Sequence, residues 1–251
     1  MKNTKPRIVG VIPTRYKASR LPGKPLVDIG GKPMVVRVCE EASKSKILAE
    51  LIVATDDLRI KKIVEKFGYQ ARLTAKDCPS GTDRVAEIAA SRAGDIFVNI
   101  QGDQPFLPPG LIRQVVKPLL SFSGIKMTTI ATRISDQHQL TNPGIVKVVL
   151  DKNNFALYFS RSSVPYSTPH ASRFTPYYYK HLGIYAYTKD FLALFRQLGP
   201  SRLEKIERLE QLRVLENGYR IKVVKTNLDT IAIDTKKDLE KVRKLATDEH
   251  G

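Results

Sequence analysis

The first half of the chain alternates short apolar runs with segments in which apolar residues recur at helical spacing. The apolar runs predict buried strands at residues 8–12, 51–54 and 96–100. The intervening segments predict helices at residues 33–43, 58–67, 80–91 and 111–120. Because such alternation is typical of βαβ units, the pattern predicts an α/β protein with a mainly parallel sheet.

The pattern changes in the middle third of the chain. Strand-like runs occupy residues 127–133, 146–150, 155–159 and 183–187, and a turn sequence at residues 151–154 joins the second run to the third. These runs predict an antiparallel region. A helix at 203–216, strands at 221–224 and 231–233, and a closing helix at 236–245 are predicted beyond it. With no internal repeat or long linker, we expect one domain over residues 1–251, with about residues 151–190 inserted into it.

Composition narrows the class of protein. The 251 residues are 42% apolar, which is enough for one sizeable core. The two cysteines, Cys39 and Cys78, and the four histidines show no metal-binding or redox spacing, so we expect a reducing compartment and no zinc site. No apolar stretch approaches the roughly 20 residues that span a bilayer. We therefore expect a soluble, cytoplasmic protein without stable membrane insertion.

Charge and loop chemistry indicate an acidic ligand. The formal net charge is +17, and the first predicted strand is followed by four cations, Arg15, Lys17, Arg20 and Lys24. Proline and glycine in this segment disfavour a helix, so the cations lie in a loop at the carboxyl end of a strand, where open α/β sheets bind ligands. Such a loop suits a triphosphate, and the alternative is a solvated basic face. The segment lacks the glycine-rich patterns of P-loop ATPases and dinucleotide enzymes.

Two aspartates follow predicted strands. Asp103 comes after the strand at 96–100 and Asp234 after the strand at 231–233, so both belong at the sheet edge that carries the basic loop. Paired carboxylates in a cationic cleft suit Mg²⁺ held against phosphate oxygens. The alternatives are that Asp103 is a turn residue and that Asp234 belongs to the start of the last helix.

Other polar residues lie beside the ends of predicted elements. Residues 80–82 open a helix and offer N–H groups and hydroxyls to an anion or a base edge, although helix capping alone explains them. Arg161 and His181 stand beside apolar strands, where a lone histidine is commonly structural. Glu210 and Gln211 fall within a predicted helix, where an exposed helical face is the ordinary interpretation.

Nine segments, in chain order, carry a resemblance to a known family. They are Val11-Ile12-Pro13-Thr14-Arg15, Ser19-Arg20-Leu21-Pro22-Gly23-Lys24-Pro25-Leu26, Ile52-Val53-Ala54-Thr55-Asp56, Ser80-Gly81-Thr82-Asp83-Arg84, Asn99-Ile100-Gln101-Gly102-Asp103, Leu157-Tyr158-Phe159-Ser160-Arg161, His181-Leu182-Gly183-Ile184-Tyr185, Leu209-Glu210-Gln211-Leu212-Arg213 and Asp234-Thr235. They resemble the 3-deoxy-D-manno-octulosonate (Kdo) cytidylyltransferases, over nearly the whole chain. The segments in the second half distinguish this family from the sialic-acid cytidylyltransferases, which share mainly the opening loop. The resemblance implies a three-layer, nucleotide-sugar-transferase-like (Rossmann-like) fold.

The resemblance also implies an activity: Mg²⁺-dependent transfer of CMP from CTP to the anomeric 2-hydroxyl of Kdo, with release of pyrophosphate, for lipopolysaccharide assembly. It assigns the triphosphate to Arg15, Arg20 and Lys24, the cytidine to Ser80, Gly81, Thr82 and Gln101, Mg²⁺ to Asp103 and Asp234, and the sugar acid to Arg161, His181, Tyr185, Glu210 and Gln211. The catalytic residues would be Arg15, Lys24, Asp103 and Asp234. The family is typically a homodimer, and the inserted region would serve sugar binding and dimerisation.

Two observations leave alternatives open. The family usually has Gly-Asp-Glu-Pro where this chain has Gly102-Asp103-Gln104-Pro105, which leaves a modified Kdo, such as 8-amino-Kdo, or another sugar acid open as the substrate. The net charge exceeds what nucleotide binding needs, which leaves a nucleic-acid-binding protein open. The aromatic residues concentrate at residues 177–179 and in strand-like segments, not within the basic loop, so we expect no nucleic-acid partner.

Overall fold

The computed structural model describes residues 5–17, 21–122, 124–166, 177–233, 235, 238–240 and 242, and a nine-stranded mixed sheet forms the centre of this part of the chain. The strands are β1 (Ile8–Thr14), β2 (Asp28–Ile29), β3 (Lys32–Pro33), β4 (Glu50–Thr55), β5 (Gln70–Leu73), β6 (Ile96–Asn99), β7 (Met127–Arg133), β8 (Lys147–Leu150), β9 (Ala156–Ser160), β10 (Tyr179–Thr188) and β11 (Lys222–Thr226). The helices are α1 (Met34–Ser43), α2 (Leu58–Lys66), α3 (Gly81–Ser91), α4 (Pro109–Ser121), α5 (Gln137–Thr141), α6 (Lys189–Phe195), α7 (Arg202–Glu207) and α8 (Gln211–Glu216). Strands β2 and β3 form a separate two-stranded sheet.

The strand order of the main sheet is β11-β7-β10-β6-β1-β4-β5. Strands β1, β4, β5 and β6 pair in parallel, as do β7 and β11. Strand β10 runs antiparallel between β6 and β7, and its first residues also pair with the β8–β9 hairpin. The predicted parallel first half and antiparallel middle region are both confirmed.

Alternating residues of β1 show how the layers form. Val9 and Val11 pack in one core with residues of α3 and α6, and Ile8 and Ile12 pack in a second core with residues of α1, α2 and α4. Successive side chains of a strand point to opposite faces, so apolar residues throughout β1 bury both faces of the sheet under helices. The three-layer α/β fold is therefore confirmed.

The predicted helix at 203–216 is wrong as a single element. It is divided into α7 and α8, because Arg208 has a left-handed backbone with φ of 55°. The guanidinium of Arg161 accounts for the break, since it donates hydrogen bonds to the carbonyl oxygens of Glu207 (2.9 Å) and Arg208 (3.5 Å), which a continuous helix would use internally. As a result Glu210 and Gln211 stand at the start of α8 instead of in mid-helix.

The predicted strand at 231–233 is also absent from the structure. Ile233 instead donates one backbone hydrogen bond to the carbonyl oxygen of Asp103 at 3.0 Å, in an irregular segment beside the β6 loop. Residues 238–240 and 242 are helical, and the rest of the predicted helix at 236–245 lies outside the described residues.

Several short elements were not predicted from the sequence. Strand β5 has four residues, helix α5 five and helix α6 seven, lengths at which periodicity is weak. None of the helices in the described part of the chain has the length and apolar character needed to cross a membrane.

Candidate active site

A cavity of about 1150 Å³ opens where β1 and β6 end. Eight of the residues assigned to the site by sequence line it: Arg15, Ser80, Gln101, Asp103, His181, Tyr185, Glu210 and Gln211. Four others, Lys24, Gly81, Thr82 and Arg161, lie outside this lining, and Arg20 and Asp234 lie outside the described residues. The fold thus brings together side chains that are up to about 200 positions apart in sequence.

The basic loop and the loop after β6 meet through an ion pair. Lys24 donates to a carboxylate oxygen of Asp103 at 2.7 Å, and both side chains are mostly buried, at 12% and 29% exposed. Gly102 permits the loop after β6 to approach the end of β1, because a Cβ at this position would come within 2.7 Å of the Thr14 methyl carbon and 3.3 Å of the carbonyl oxygen of Pro13. The contact places one cation and one carboxylate at the same edge of the cavity.

The donor set at this edge has the chemistry that Mg²⁺ prefers. Asp103 supplies carboxylate oxygens, and its carbonyl oxygen accepts the backbone N–H of Ile233 at 3.0 Å, whereas Asp234 lies outside the described residues. Within the described part of the chain, no three histidine, cysteine, aspartate or glutamate side chains gather as a metal cluster.

The start of α3 forms a second wall of the cavity. Ser80 caps the helix, since its hydroxyl oxygen accepts the backbone N–H of Asp83 at 3.1 Å. Thr82 donates its backbone N–H (3.2 Å) and its hydroxyl (2.7 Å) to the carboxylate of Glu210. The Tyr187 hydroxyl is 2.8 Å from the hydroxyl oxygen of Thr82, which has already given its proton to Glu210 and so accepts here. Gly81 and Thr82 therefore lie behind Ser80, attached to the opposite wall.

Arg213 makes a second connection between α8 and α3. Its guanidinium, 2% exposed, forms two hydrogen bonds with Glu204 at 2.6 and 2.8 Å and lies 3.3 Å from Asp83. Paired carboxylates satisfy this buried cation. No role was predicted for Arg213 from the sequence, although an arginine among the apolar residues of a helix is the kind of signal that marks a buried ion pair.

Strand β10 contributes an aromatic wall. The rings of His181 and Tyr185 lie 5.1 Å apart, and Phe159 meets His181 edge-on at 5.0 Å. Burial lowers the pKa of His181 to about 3, so the ring is neutral at physiological pH. The hydroxyl of Thr129 donates to the carbonyl oxygen of Ile184 at 2.7 Å, so it accepts from Nε2 of His181 at 2.9 Å and leaves Nδ1 as the acceptor nitrogen.

Burial also raises the pKa of Tyr185, with a smaller contribution from the nearby charge of Glu210. The phenol therefore stays protonated across the physiological range. Together with the neutral imidazole of His181, it gives this wall an uncharged, hydrogen-bonding surface.

Arg161 is held by backbone atoms instead of facing the cavity. Its guanidinium donates to the carbonyl oxygens at the α7 terminus and also to the carbonyl oxygen of Pro143, at 3.0 Å. Beside it, Lys147 is fully buried and donates to the carbonyl oxygens of Asn142 (3.0 Å), Ile145 (2.7 Å) and Arg161 (2.5 Å). Desolvation, and to a lesser extent the charge of Arg161, lower the pKa of Lys147. The two cations fix the loop before β8, part of which lines the cavity.

Comparison with known proteins identifies the family. A family model described as Cytidylyltransferase matches residues 9–223. The 3-deoxy-manno-octulosonate cytidylyltransferase of Geotalea uraniireducens (strain Rf4) is 48% identical over 245 residues, covering 94% of this chain and 97% of the relative. The chain belongs to the 3-deoxy-manno-octulosonate cytidylyltransferase family. A second member of the family, from Chloroherpeton thalassium (strain ATCC 35110 / GB-78), is 47% identical over 239 residues, covering 94% of this chain and 96% of the relative.

Solved structures agree with this assignment. CMP:2-keto-3-deoxy-manno-octonic acid synthetase, solved in complex with CTP, superposes with a TM-score of 0.90 at 41% identity, covering 97% of this chain and 99% of that one. A 4-diphosphocytidyl-2C-methyl-D-erythritol synthase from Anaerococcus prevotii has a TM-score of 0.61 at 18% identity, covering 96% of this chain and 99% of that one. The first match supports the 3-deoxy-manno-octulosonate cytidylyltransferase family, and the second shows a shared fold alone.

Proposed function

We propose that the protein transfers CMP from CTP to the anomeric 2-hydroxyl of Kdo and releases pyrophosphate. The observation that carries the proposal is a cavity at which the basic loop, the start of α3 and the aromatic wall of β10 meet, in a chain of this family. A relative solved with CTP supports the nucleotide, and the relatives' names support the sugar acid.

The nucleotide half of the site would lie between the basic loop and α3. Arg15 lines the cavity, and Lys24 stands at its edge through Asp103, so both can neutralise triphosphate oxygens, together with Arg20. The carbonyl oxygen of the Gln101 side chain remains available to a base edge, because the side-chain nitrogen is engaged with Gly183 at 2.7 Å. At the start of α3, Ser80 would complete the cytidine pocket, and Gly81 and Thr82 would support it from behind.

The sugar-acid half would lie against β10 and α8. His181 and Tyr185 offer neutral hydrogen-bonding groups to sugar hydroxyls, and the buried side-chain nitrogen of Gln211 has no partner within the described part of the chain. Glu210 would bind the sugar acid from the start of α8. Arg161 would act from behind this wall. Its guanidinium donates to the backbone carbonyl oxygens of Glu207 and Pro143, so it would position the segments that contain these two residues.

The reaction needs no covalent protein nucleophile. In-line attack of a hydroxyl on the α-phosphate requires alignment of the two substrates and neutralisation of charge on the phosphate oxygens and the departing pyrophosphate. Arg15 and Lys24 would supply that neutralisation, and the ion pair with Asp103 would orient Lys24 before the nucleotide arrives. Asp103 and Asp234 would hold Mg²⁺, which when bound draws charge from the phosphates and lowers the pKa of the sugar hydroxyl.

We also propose that the protein is a cytoplasmic homodimer and that it serves lipopolysaccharide assembly. Each chain would form one domain, with about residues 151–190 as an insertion into it. Leu157 on β9 is 60% exposed, and β9 pairs with β8 alone among the named strands of the described chain. We propose this face of β9, which pairs on one side with β8, as the surface that meets a second copy. Sedimentation equilibrium of the wild type and of Leu157→Asp tests this, and a wild-type monomer at micromolar concentration would contradict it.

The decisive experiment measures pyrophosphate release from purified protein with Mg²⁺, CTP and Kdo. Parallel reactions replace CTP with ATP, UTP or GTP, and Kdo with 8-amino-Kdo or N-acetylneuraminate. We expect release with CTP and Kdo alone. Release with 8-amino-Kdo in place of Kdo would move the specificity to the modified sugar, and silence with every sugar acid would refute the proposed activity.

A further inference from the structure

The hydroxyl of Thr129 contacts both the backbone of β10 and the ring of His181. Thr129 belongs to β7 and is fully buried, and its hydroxyl oxygen lies 2.7 Å from the carbonyl oxygen of Ile184 and 2.9 Å from Nε2 of His181. A carbonyl oxygen only accepts hydrogen bonds, so the single proton of the hydroxyl goes to Ile184. The hydroxyl oxygen can then only accept from His181, which requires that Nε2 carries the ring proton.

Neighbouring rings restrict the plane of the His181 imidazole. Phe159 meets it edge-on with 5.0 Å between ring centres, and Tyr185 lies 5.1 Å from it at a tilt of 56°. A half-turn about the Cβ–Cγ bond would keep that plane but would put Cε1 where Nε2 stands, so Thr129 would have no N–H to accept. The Thr129 hydroxyl therefore selects one orientation of the ring as well as one position of its proton.

This arrangement leaves Nδ1 of His181 as an unprotonated nitrogen. Burial lowers the pKa of His181 to about 3, so the ring takes up no second proton at physiological pH. Nδ1 has no hydrogen-bond partner within the described part of the chain, and His181 lines the cavity. An unprotonated imidazole nitrogen accepts from a hydroxyl group and offers nothing to a carboxylate. Its chemistry therefore fits a hydroxyl group of a sugar.

We propose that Thr129 is a positioning residue that keeps His181 in its Nε2–H form, so that Nδ1 accepts a hydrogen bond from a hydroxyl group of the sugar acid; this inference rests on the proposed function. Thr129 is fully buried and does not line the cavity, so it acts through the ring of His181. Thr129→Val keeps the branched shape of the side chain but removes both the donor to Ile184 and the acceptor for His181.

The first test needs no substrate. Long-range ¹⁵N–¹H NMR spectra of the wild type and of Thr129→Val are recorded at pH 7.5 on protein labelled at its histidine rings, and His181→Gln identifies the His181 signals. We expect a protonated Nε2 and an unprotonated Nδ1 in the wild type, and in Thr129→Val we expect the two nitrogen shifts to approach each other as the Nδ1–H form becomes populated. A protonated Nδ1 in the wild type, or unchanged shifts in a folded Thr129→Val protein, would overturn the proposal whether or not the enzyme assay succeeds.

The second test separates positioning from general damage. In Thr129→Val we expect KM for Kdo to rise about tenfold while KM for CTP stays within about twofold, and Thr129→Ser, which keeps the hydroxyl, should hold KM for Kdo within about twofold of the wild type. Thr128→Val is the matched control, because the Thr128 hydroxyl is equally buried but donates to the carbonyl oxygen of Val115 at 2.5 Å, on the other face of β7. Equal increases in KM for Kdo in Thr128→Val and Thr129→Val, or no recovery in Thr129→Ser, would contradict the proposal.

Discussion

The carboxylate of Glu210 accepts two hydrogen bonds from Thr82, one from its backbone N–H at 3.2 Å and one from its hydroxyl at 2.7 Å. These residues are 128 positions apart and belong to the starts of α8 and α3. The contact therefore joins the wall proposed for cytidine to the wall proposed for the sugar acid. A negative charge at this end of α3 is also favoured by the helix dipole.

Replacement of Glu210 tests how much this connection stabilises the fold. We expect Glu210→Gln to lower the free energy of unfolding by about 1–2 kcal/mol, because charge-assisted hydrogen bonds and a helix-dipole interaction are weakened. Urea denaturation at pH 7.5 measures the change. Glu65→Gln is the control, since Glu65 forms an ion pair with Lys61 at the surface, and this variant should alter stability by less than about 0.5 kcal/mol. Equal effects of the two variants would show that the α8–α3 contact contributes nothing specific.

Asp103 is expected to matter for turnover far more than for stability. Its carboxylate is 29% exposed, and asparagine keeps a side-chain oxygen that can accept the hydrogen bond from Lys24, so Asp103→Asn should remain folded with little change in Tm. The variant should lower kcat by about 100-fold or more, because charge organisation at the phosphates is lost. Pyrophosphate release and thermal denaturation provide the two measurements. Asp190→Asn, at an exposed position in α6, should retain normal kcat, and near-normal turnover of Asp103→Asn would exclude the proposed role.

Local sequence patterns predict the parts of this fold that depend on neighbours in the chain. The apolar strands β1 and β4, the capped start of α3 and the loop after β6 follow from periodicity and capping residues, and each occurs in the structure. Because parallel strands end at a common edge, the same patterns also bring Arg15 and Asp103 to one cavity.

Contacts between distant segments explain what these patterns miss. Leu203 to Glu216 has the composition of one helix, but Arg161, 47 positions before Arg208, takes carbonyl oxygens at the break. The same contact turns Arg161 away from the cavity. The bond from Gln104 to Leu182 spans 78 positions and likewise has no local signature. Local elements could be predicted from the sequence, whereas the partner of each polar group depends on the completed fold.

His181 should make stability depend on pH. Burial lowers its pKa in the folded protein to about 3, from an ordinary value of 6.5, so below pH 6.5 the unfolded chain binds a proton that the folded protein does not. The contribution of His181 to the free energy of unfolding is therefore at its maximum above pH 6.5 and decreases as the pH is lowered toward 3. We expect the wild type to lose about 1–2 kcal/mol more between pH 7.5 and 5 than His181→Gln does. Urea titrations at both pH values measure this difference. His138→Gln, at an exposed position, is the control and should behave like the wild type. The same pH dependence in His181→Gln as in the wild type would contradict a neutral imidazole at position 181.

Lys147 should be a major structural residue although it lies outside the cavity lining. Its ammonium group donates to three backbone carbonyl oxygens, and its side chain is fully buried, so Lys147→Met would leave those oxygens without this donor. We expect the free energy of unfolding to fall by about 2–4 kcal/mol, since each unsatisfied buried group is costly. Lys189→Met is the matched control: Lys189 is half-buried and donates to one carbonyl oxygen, that of Arg92 at 2.8 Å, so its loss should cost under about 1 kcal/mol. Equal urea midpoints for the two variants would mean that the three bonds of Lys147 do not hold the loop before β8, and with it one side of the cavity.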